Sequence, residues 1–161
     1  MRVLGVDPGP ELTAYVLFDE PRVVEFATVE NRMFKAQLRR LWSMSDHMAI
    51  EMIASYGMAV GREIFETCVW IGRYIELWDY YGAEWTQVYR ADVKMHLCKN
   101  NGAKDANIRA ALIDRFGPGK EKAIGLKKTP GPLFGISGDE WAALGVAVTY
   151  SDGGIRGQAT T

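Results

Sequence analysis

The chain opens on short apolar runs of strand type. Val3, Leu4 and Val6 make the first, Ala14-Tyr15-Val16-Leu17-Phe18 the second, and Val23, Val24, Phe26, Ala27 and Val29 the third. Short polar turns separate them, which predicts an antiparallel meander. The spacing then changes to a helical period. Met33, Phe34, Leu38, Leu41 and Trp42 share one face opposite Lys35, Arg39 and Arg40, in a helix capped by Asn31 and running to about Met44. His47 to Ile53 reads as a fourth strand, reached through that helix and therefore parallel to the first. A long helix follows from about Val60 to Tyr80. Ile64, Cys68, Ile71, Ile75 and Trp78 recur at steps of four and three and should be its buried stripe. Trp70, Tyr74 and Leu77 supply a second apolar face, so the helix suits the sheet, a dimer seam, or both.

Trp85-Thr86-Gln87-Val88 is a short fifth strand, and Asp92 to Leu97 should be helical. Asp105 caps a further helix carrying Ile108, Ala111, Leu112 and Phe116, which Gly117 ends. Residues 117–138 read as a long basic loop rich in Gly and Pro. Ser137, Asp139 and Glu140 open a last helix, whose Ala142, Ala143, Leu144, Val146, Ala147 and Val148 are too apolar for a surface. Residues 1–150 are thus expected to form one α/β domain, a five-stranded mixed sheet flanked by helices. Residues 151–161 are a polar tail.

Three acids break this pattern where burial should be under way. Asp7 ends the first strand, Glu51 lies within the fourth, and Asp139 starts the apolar last helix. A carboxylate in such a place is expensive unless cations or hydrogen bonds compensate it. Each has a plain structural reading. Asp7, followed by Pro8 and by Gly9 at a positive-φ position, suits a turn; Glu51 suits pairing with an arginine; Asp139 suits a helix cap. Jointly they have another. The first and fourth strands are expected neighbours, and a helix packed closely on them would set its first turn beside both. Three carboxylates in one place repel unless divalent cations lie among them, and an all-oxygen set favours Mg²⁺ or Mn²⁺ over zinc. Two such ions about 4 Å apart are the usual apparatus of in-line phosphodiester hydrolysis. Glu140 is a weaker fourth candidate ligand, since adjacent helix positions point about 100° apart.

With 161 residues and 48% hydrophobic content, the chain suits one domain with a real core. Its net charge of −1 marks no whole-chain field for nucleic acid, but the charge is uneven. From Arg90 to Lys128 there are ten basic residues against four acidic ones, an excess of six that leaves −7 for the remainder. A basic segment on an acidic body suits a polyanion on one face and clustered carboxylates on another; a solvated lysine-rich loop fits the same numbers. Cys68 and Cys98 have neither a disulfide framework nor zinc spacing, which points to a reducing compartment. No apolar leader and no membrane-length run is seen, so a cytosolic protein with no membrane partner is expected.

Several of these segments carry a resemblance. Gly5-Val6-Asp7-Pro8-Gly9 resembles the first motif of RuvC-type Holliday junction resolvases, and Ile50-Glu51 followed by Gly72-Arg73 resembles the second. Val93-Lys94 with Ala103-Lys104-Asp105 is similar to the stretch that supplies that family's basic DNA contacts. Gly138-Asp139-Glu140-Trp141-Ala142-Ala143-Leu144-Gly145-Val146-Ala147 resembles its final catalytic helix. The order of elements is that of the ribonuclease H-like fold. The basic loop and last helix look most like the small resolvases of phages and prophages, which would place the protein in a host cytoplasm.

The resemblance implies a homodimeric, structure-selective endodeoxyribonuclease that resolves four-way DNA junctions, whose two-fold symmetry matches that of a dimer. Asp7, Glu51 and Asp139 would hold two Mg²⁺ ions per subunit, or Mn²⁺ in their place, with Asp7 bridging and products ending in 5′-phosphate and 3′-hydroxyl. Lys94 and Lys104 would contact phosphates near the cut. Arg90, Lys120, Lys122, Lys127 and Lys128 would add sequence-independent attraction to the DNA backbone. Tyr56 is the aromatic nearest the family's wedge position. RuvC's last helix carries two metal-site positions one turn apart; Asp139 matches the first, and Ala142 occupies the second. Other readings stay open: a nuclease of the same fold acting on flaps, forks or structured RNA; an ATP-binding protein of the actin and sugar-kinase group, whose second phosphate loop is not found here; and a catalytically silent DNA-binding module.

Overall fold

A computed structural model describes residues 1–54, 57 and 59–155. At its centre runs β1 (Arg2–Pro8), with β2 (Leu12–Asp19) antiparallel on one side. On the other side lies β4 (His47–Met52), parallel to β1. β3 (Arg22–Glu30) extends the meander and β5 (Trp85–Tyr89) runs parallel beside β4, so the order is β3-β2-β1-β4-β5. This is the five-stranded mixed sheet expected. The parallel step from β1 to β4 follows from a crossover through α1 (Asn31–Ser43), since two parallel neighbours cannot be joined by a hairpin.

The strands have two buried faces, and their period of two sorts the side chains between them. Leu4 and Val6 of β1, Tyr15 and Leu17 of β2, and Met48 and Ile50 of β4 pack on α1 and on α2 (Arg62–Tyr80) through Phe34, Leu38, Leu41, Ile71, Tyr74 and Trp78. Val3, Val16, Phe18, Ala49 and Val88 point the opposite way, into the core built with α3 (Arg90–Cys98), α4 (Asp105–Phe116) and the last helix. Asp7 and Glu51 keep the parity of Val3 and Ala49, so alternation aims both carboxylates at that second side.

The last helix, α6 (Glu140–Ser151), is buried along nearly its whole length, from Glu140 to Thr149 apart from Ala142. Gly5 lets it lie against the sheet. A Cβ at Gly5 would collide with the carbonyl oxygen of Ala143 and stand 2.7 Å from the Ala147 Cβ. Gly5 on β1, facing Ala143 and Ala147 on α6, thus brings the start of α6 to the end of β1.

Four local expectations are corrected. Gly9 has no positive φ among the turn glycines that do; it is needed for close approach, because a Cβ there would lie 2.8 Å from the Leu12 carbonyl oxygen. Asn31 is not a cap: Glu30 holds that position, and Asn31 is the first helical residue, buried, with its side chain turned back to the β1–β2 turn. The buried stripe of α2 is Thr67, Ile71, Tyr74 and Trp78. Thr67 and Tyr74 are polar yet bury well because their hydroxyls find partners, Thr67 on the Glu63 carbonyl at 2.9 Å and Tyr74 beside Thr13 at 3.0 Å. Tyr74 therefore belongs to the core and not to the second face of α2. Trp70 and Leu77 are half-buried against the same core, and a different, outer side of α2 carries Phe65, Val69 and Tyr80, which are 61%, 53% and 83% exposed.

The fourth concerns residues 117–138, which are not structureless. They form α5 (Lys120–Ala123) and a small hairpin of β6 (Gly125–Leu126) and β7 (Thr129–Pro130). Ala123, Leu133 and Ile136 sink into the core, and the Leu133 amide donates to the Ala123 carbonyl at 2.8 Å. Few apolar side chains are enough to pin a loop when glycines let its backbone turn tightly. Among the described residues, no helix is long and apolar enough to cross a membrane.

Candidate active site

Asp7 leaves the sheet at the end of β1 and Glu51 near the end of the parallel β4, so both emerge at the same edge. Asp139 is the N-cap residue of α6. Together they line a cleft of about 210 Å³. The expected meeting of these three acids at one place is what the chain does. Ala142, one turn further along α6, is on the same wall.

The electrostatics follow from that meeting. Burial, then the charges of Glu51 and Asp139, push the Asp7 carboxyl up to about 8. Burial also raises Glu51, against the pull of Arg90. Such a cluster is relieved by a hard cation, and the donors present are all oxygen, so the residues fit Mg²⁺ or Mn²⁺. Among the described residues, no three acid, imidazole or thiol groups stand as a closed ligand set. Glu51 leans toward Arg90, and Asp139 is exposed at the rim.

Arg90 is where sequence and structure differ most. The sequence suggests a place on the DNA-attracting surface, but its side chain is only 26% exposed and sits inside the cleft. One guanidinium nitrogen donates to Glu51 Oε2 at 3.5 Å and the other donates to Asp105 Oδ1. Burial alone would lower its pKa, and Glu51, Asp105 and Asp7 together hold it above the usual arginine value. Asp105 was expected only as a cap. The cap position belongs to Lys104, and Asp105, on the first turn of α4, brings a fourth carboxylate to the cleft. Its place directly after Lys104, in the basic motif, was the available signal.

The remaining site residues divide. Lys94 of α3 is half-buried and close enough for its charge to act on Glu51. Lys104 is exposed beside Asp105. Lys120, Lys122, Lys127 and Lys128 are exposed on the α5–hairpin flap and are not among the residues lining the cleft. Glu140 is held apart as well. Its Oε2 accepts from the Ser137 amide at 2.8 Å and its Oε1 from the Thr28 hydroxyl at 3.5 Å, so its carboxylate closes the start of α6 and does not face the cleft. Tyr56 lies outside the described residues.

No family model matches the chain, and no curated protein does. Solved structures do. The RuvC structure of Thermus thermophilus superposes with a TM-score of 0.65 at 16% identity, over 94% of this chain and 93% of that one. T. thermophilus RuvC in complex with a Holliday junction substrate superposes with a TM-score of 0.69 at 16% identity, over the same shares. The likeness spans nearly both chains and establishes the fold: the chain has the ribonuclease H-like fold of RuvC.

Proposed function

We propose that this chain is a nuclease that resolves four-way DNA junctions by metal-dependent phosphodiester hydrolysis, acting as a homodimer. The observation that carries the reading is the cleft itself. Asp7 and Glu51 reach it from neighbouring parallel strands, and Asp139 reaches it from a helix that Gly5 admits to the same edge. The shared fold supports it, since one of the similar structures holds a Holliday junction substrate.

Asp7, Glu51 and Asp139 would hold two Mg²⁺ or Mn²⁺ ions per subunit, and Asp7, which feels both other charges, is the carboxylate that a cation would relieve most. Divalent ions, when bound, would supply Lewis-acid activation of a water and of the leaving 3′-oxygen, and the products would end in 5′-phosphate and 3′-hydroxyl. The protein's own groups bind and orient. Lys94 and Lys104, which lie between Arg90 and Asp105 in sequence, would grip phosphates flanking the cut, and the flap lysines would hold the more distant backbone. A second copy of this chain would dock on the outer face of α2. Phe65, Val69 and Tyr80 form an apolar row there, and nothing lies within 4 Å of a Cβ built at Gly72, so a two-fold partner helix can approach closely.

A chelator-sensitive cutting assay on a synthetic four-way junction tests this. Asp7→Asn should bind the junction as the wild type does and lose cleavage by at least about a thousandfold, as when one member of a catalytic unit is removed. Retained cleavage by that variant, or cleavage indifferent to EDTA, would sink the reading.

A further inference from the structure

We propose that Arg90 is the resident counter-ion of the acidic cleft: Glu51 releases it when a divalent ion enters, and Asp105 then retains it facing the scissile phosphate. This rests on the reading of the cleft as a metal site.

The geometry points to a residue built for two positions. Arg90 stands where β5 passes into α3, and that junction is fixed, because Asp92 accepts the Tyr89 amide at 3.2 Å. Its guanidinium spans two carboxylates on different elements, Glu51 on β4 and Asp105 on α4. The two bonds are unequal. The Glu51 contact, at 3.5 Å, is at the limit of a hydrogen bond, while Asp105 is a second, solvent-exposed partner on the other nitrogen. When a dication competes for Glu51, the contact already at its limit is the one that breaks, and Asp105, on a different element, still holds the guanidinium at the cleft. A planar cation with five donors held beside a phosphodiester is suited to bind its oxygens in pairs.

Charge balance favours the same assignment. The cleft holds Asp7, Glu51, Asp105 and Asp139 against one guanidinium, a deficit of three. Two divalent ions and one phosphodiester bring a surplus of three, so the charges lining the cleft, with the carboxylates ionised, balance with Arg90 in place. Ala142, on the same wall, contributes no charge, and Asp105 supplies the fourth carboxylate from the opposite element.

The experiment is a calorimetric titration of the DNA-free protein with Mn²⁺, read beside junction cleavage. Arg90→Gln should bind Mn²⁺ more tightly, on the order of tenfold, because the competing cation is gone, and should cleave more slowly at saturating Mn²⁺. Arg90→Lys should restore Mn²⁺ affinity toward that of the wild type without restoring full cleavage, because it keeps the charge and loses the planar fork. Asp105→Asn alone should weaken Mn²⁺ binding, because Arg90 then closes on Glu51. The double variant should match Arg90→Gln, since Asp105 acts through Arg90. An unchanged Mn²⁺ affinity in Arg90→Gln overturns the proposal. A double variant weaker than Arg90→Gln makes Asp105 a metal ligand and also overturns it. If the wild type binds no Mn²⁺, the metal reading of the cleft fails first and this inference fails with it. Asp105 is exposed, so Asp105→Asn keeps the test open even if an Arg90 variant does not fold.

Discussion

Asp7 owes its setting to residues distant in sequence. The turn after it is clamped by Asn31, whose Nδ2 donates to the Gly9 carbonyl at 3.0 Å and whose Oδ1 accepts from the Thr13 hydroxyl at 2.7 Å. Tyr74 of α2 completes this buried relay from the side opposite the cleft. Buried polar groups are tolerated when each finds a partner, and here the partners come from three elements and the β1–β2 turn. A second polar knot lies at the meander edge, where Glu25 accepts two bonds from Arg40 at 2.6 and 2.9 Å and one from Tyr15 at 2.7 Å. The Arg40 guanidinium, opposed by burial and helped by Tyr15, holds Glu25 below its ordinary value of 4.5. A depressed carboxylate stabilises the fold above its unfolded pKa and loses that contribution as pH falls through the folded one. The stability advantage of the wild type over Glu25→Gln should therefore be constant at neutral pH and shrink below about 4.5. Thermal melts of both proteins from pH 7 to pH 3 check this; an advantage that does not shrink on acidification would remove Glu25's role.

At the scale of elements, the decisive contact is between β1 and α6. The apolar, small-residue run of the last helix was legible as a buried helix, because no surface helix has that composition. Its distance from the sheet was not, because it depends on the absence of a side chain at one position of another element. Gly5→Ala should lower stability by about 1–3 kcal/mol through overpacking, seen as a lower Tm. It should reduce cleavage further than the lost stability explains, because Asp139 moves with α6. Full activity in a folded Gly5→Ala protein would show that the close approach does not set the site. In α2 the periodicity was right and the phase was not. Counting apolar residues favoured Ile64, Cys68 and Ile75, whereas the core takes Thr67 and Tyr74 because their hydroxyls are satisfied there.

Over the whole molecule, two surfaces matter. The row on α2 formed by Phe65, Val69 and Tyr80 is the place where a second copy would pack. Val69→Glu, at an exposed position, should leave the fold intact, convert the protein to a monomer in sedimentation, and turn paired junction cuts into single ones. A dimer that survives that change would move the interface elsewhere. The flap presents Lys127 and Lys128 to solvent at its hairpin tip. Replacing both by Ala should weaken binding equally on junctions of different sequence and lower the salt dependence of binding by about two in slope, near one per lost phosphate contact. An unchanged slope would exclude the flap from the DNA surface.

What the amino-acid order determined by itself was most of what depends on near neighbours or on repetition, the cap of α1 and the phase of α2 excepted. The strand and helix order, the parity that aims Asp7 and Glu51 at one side, and the apolar character of α6 were all readable there, and with them the three acids of the cleft. Tertiary structure alone decided how charges pair and how closely elements lie. It put Arg90 between Glu51 and Asp105, turned Glu140 away onto Ser137, and pinned residues 117–138 through Ala123, Leu133 and Ile136. Periodicity is a property of a segment, but the partner of a buried charge is whichever group the rest of the chain delivers to it, and that is settled only when distant elements pack.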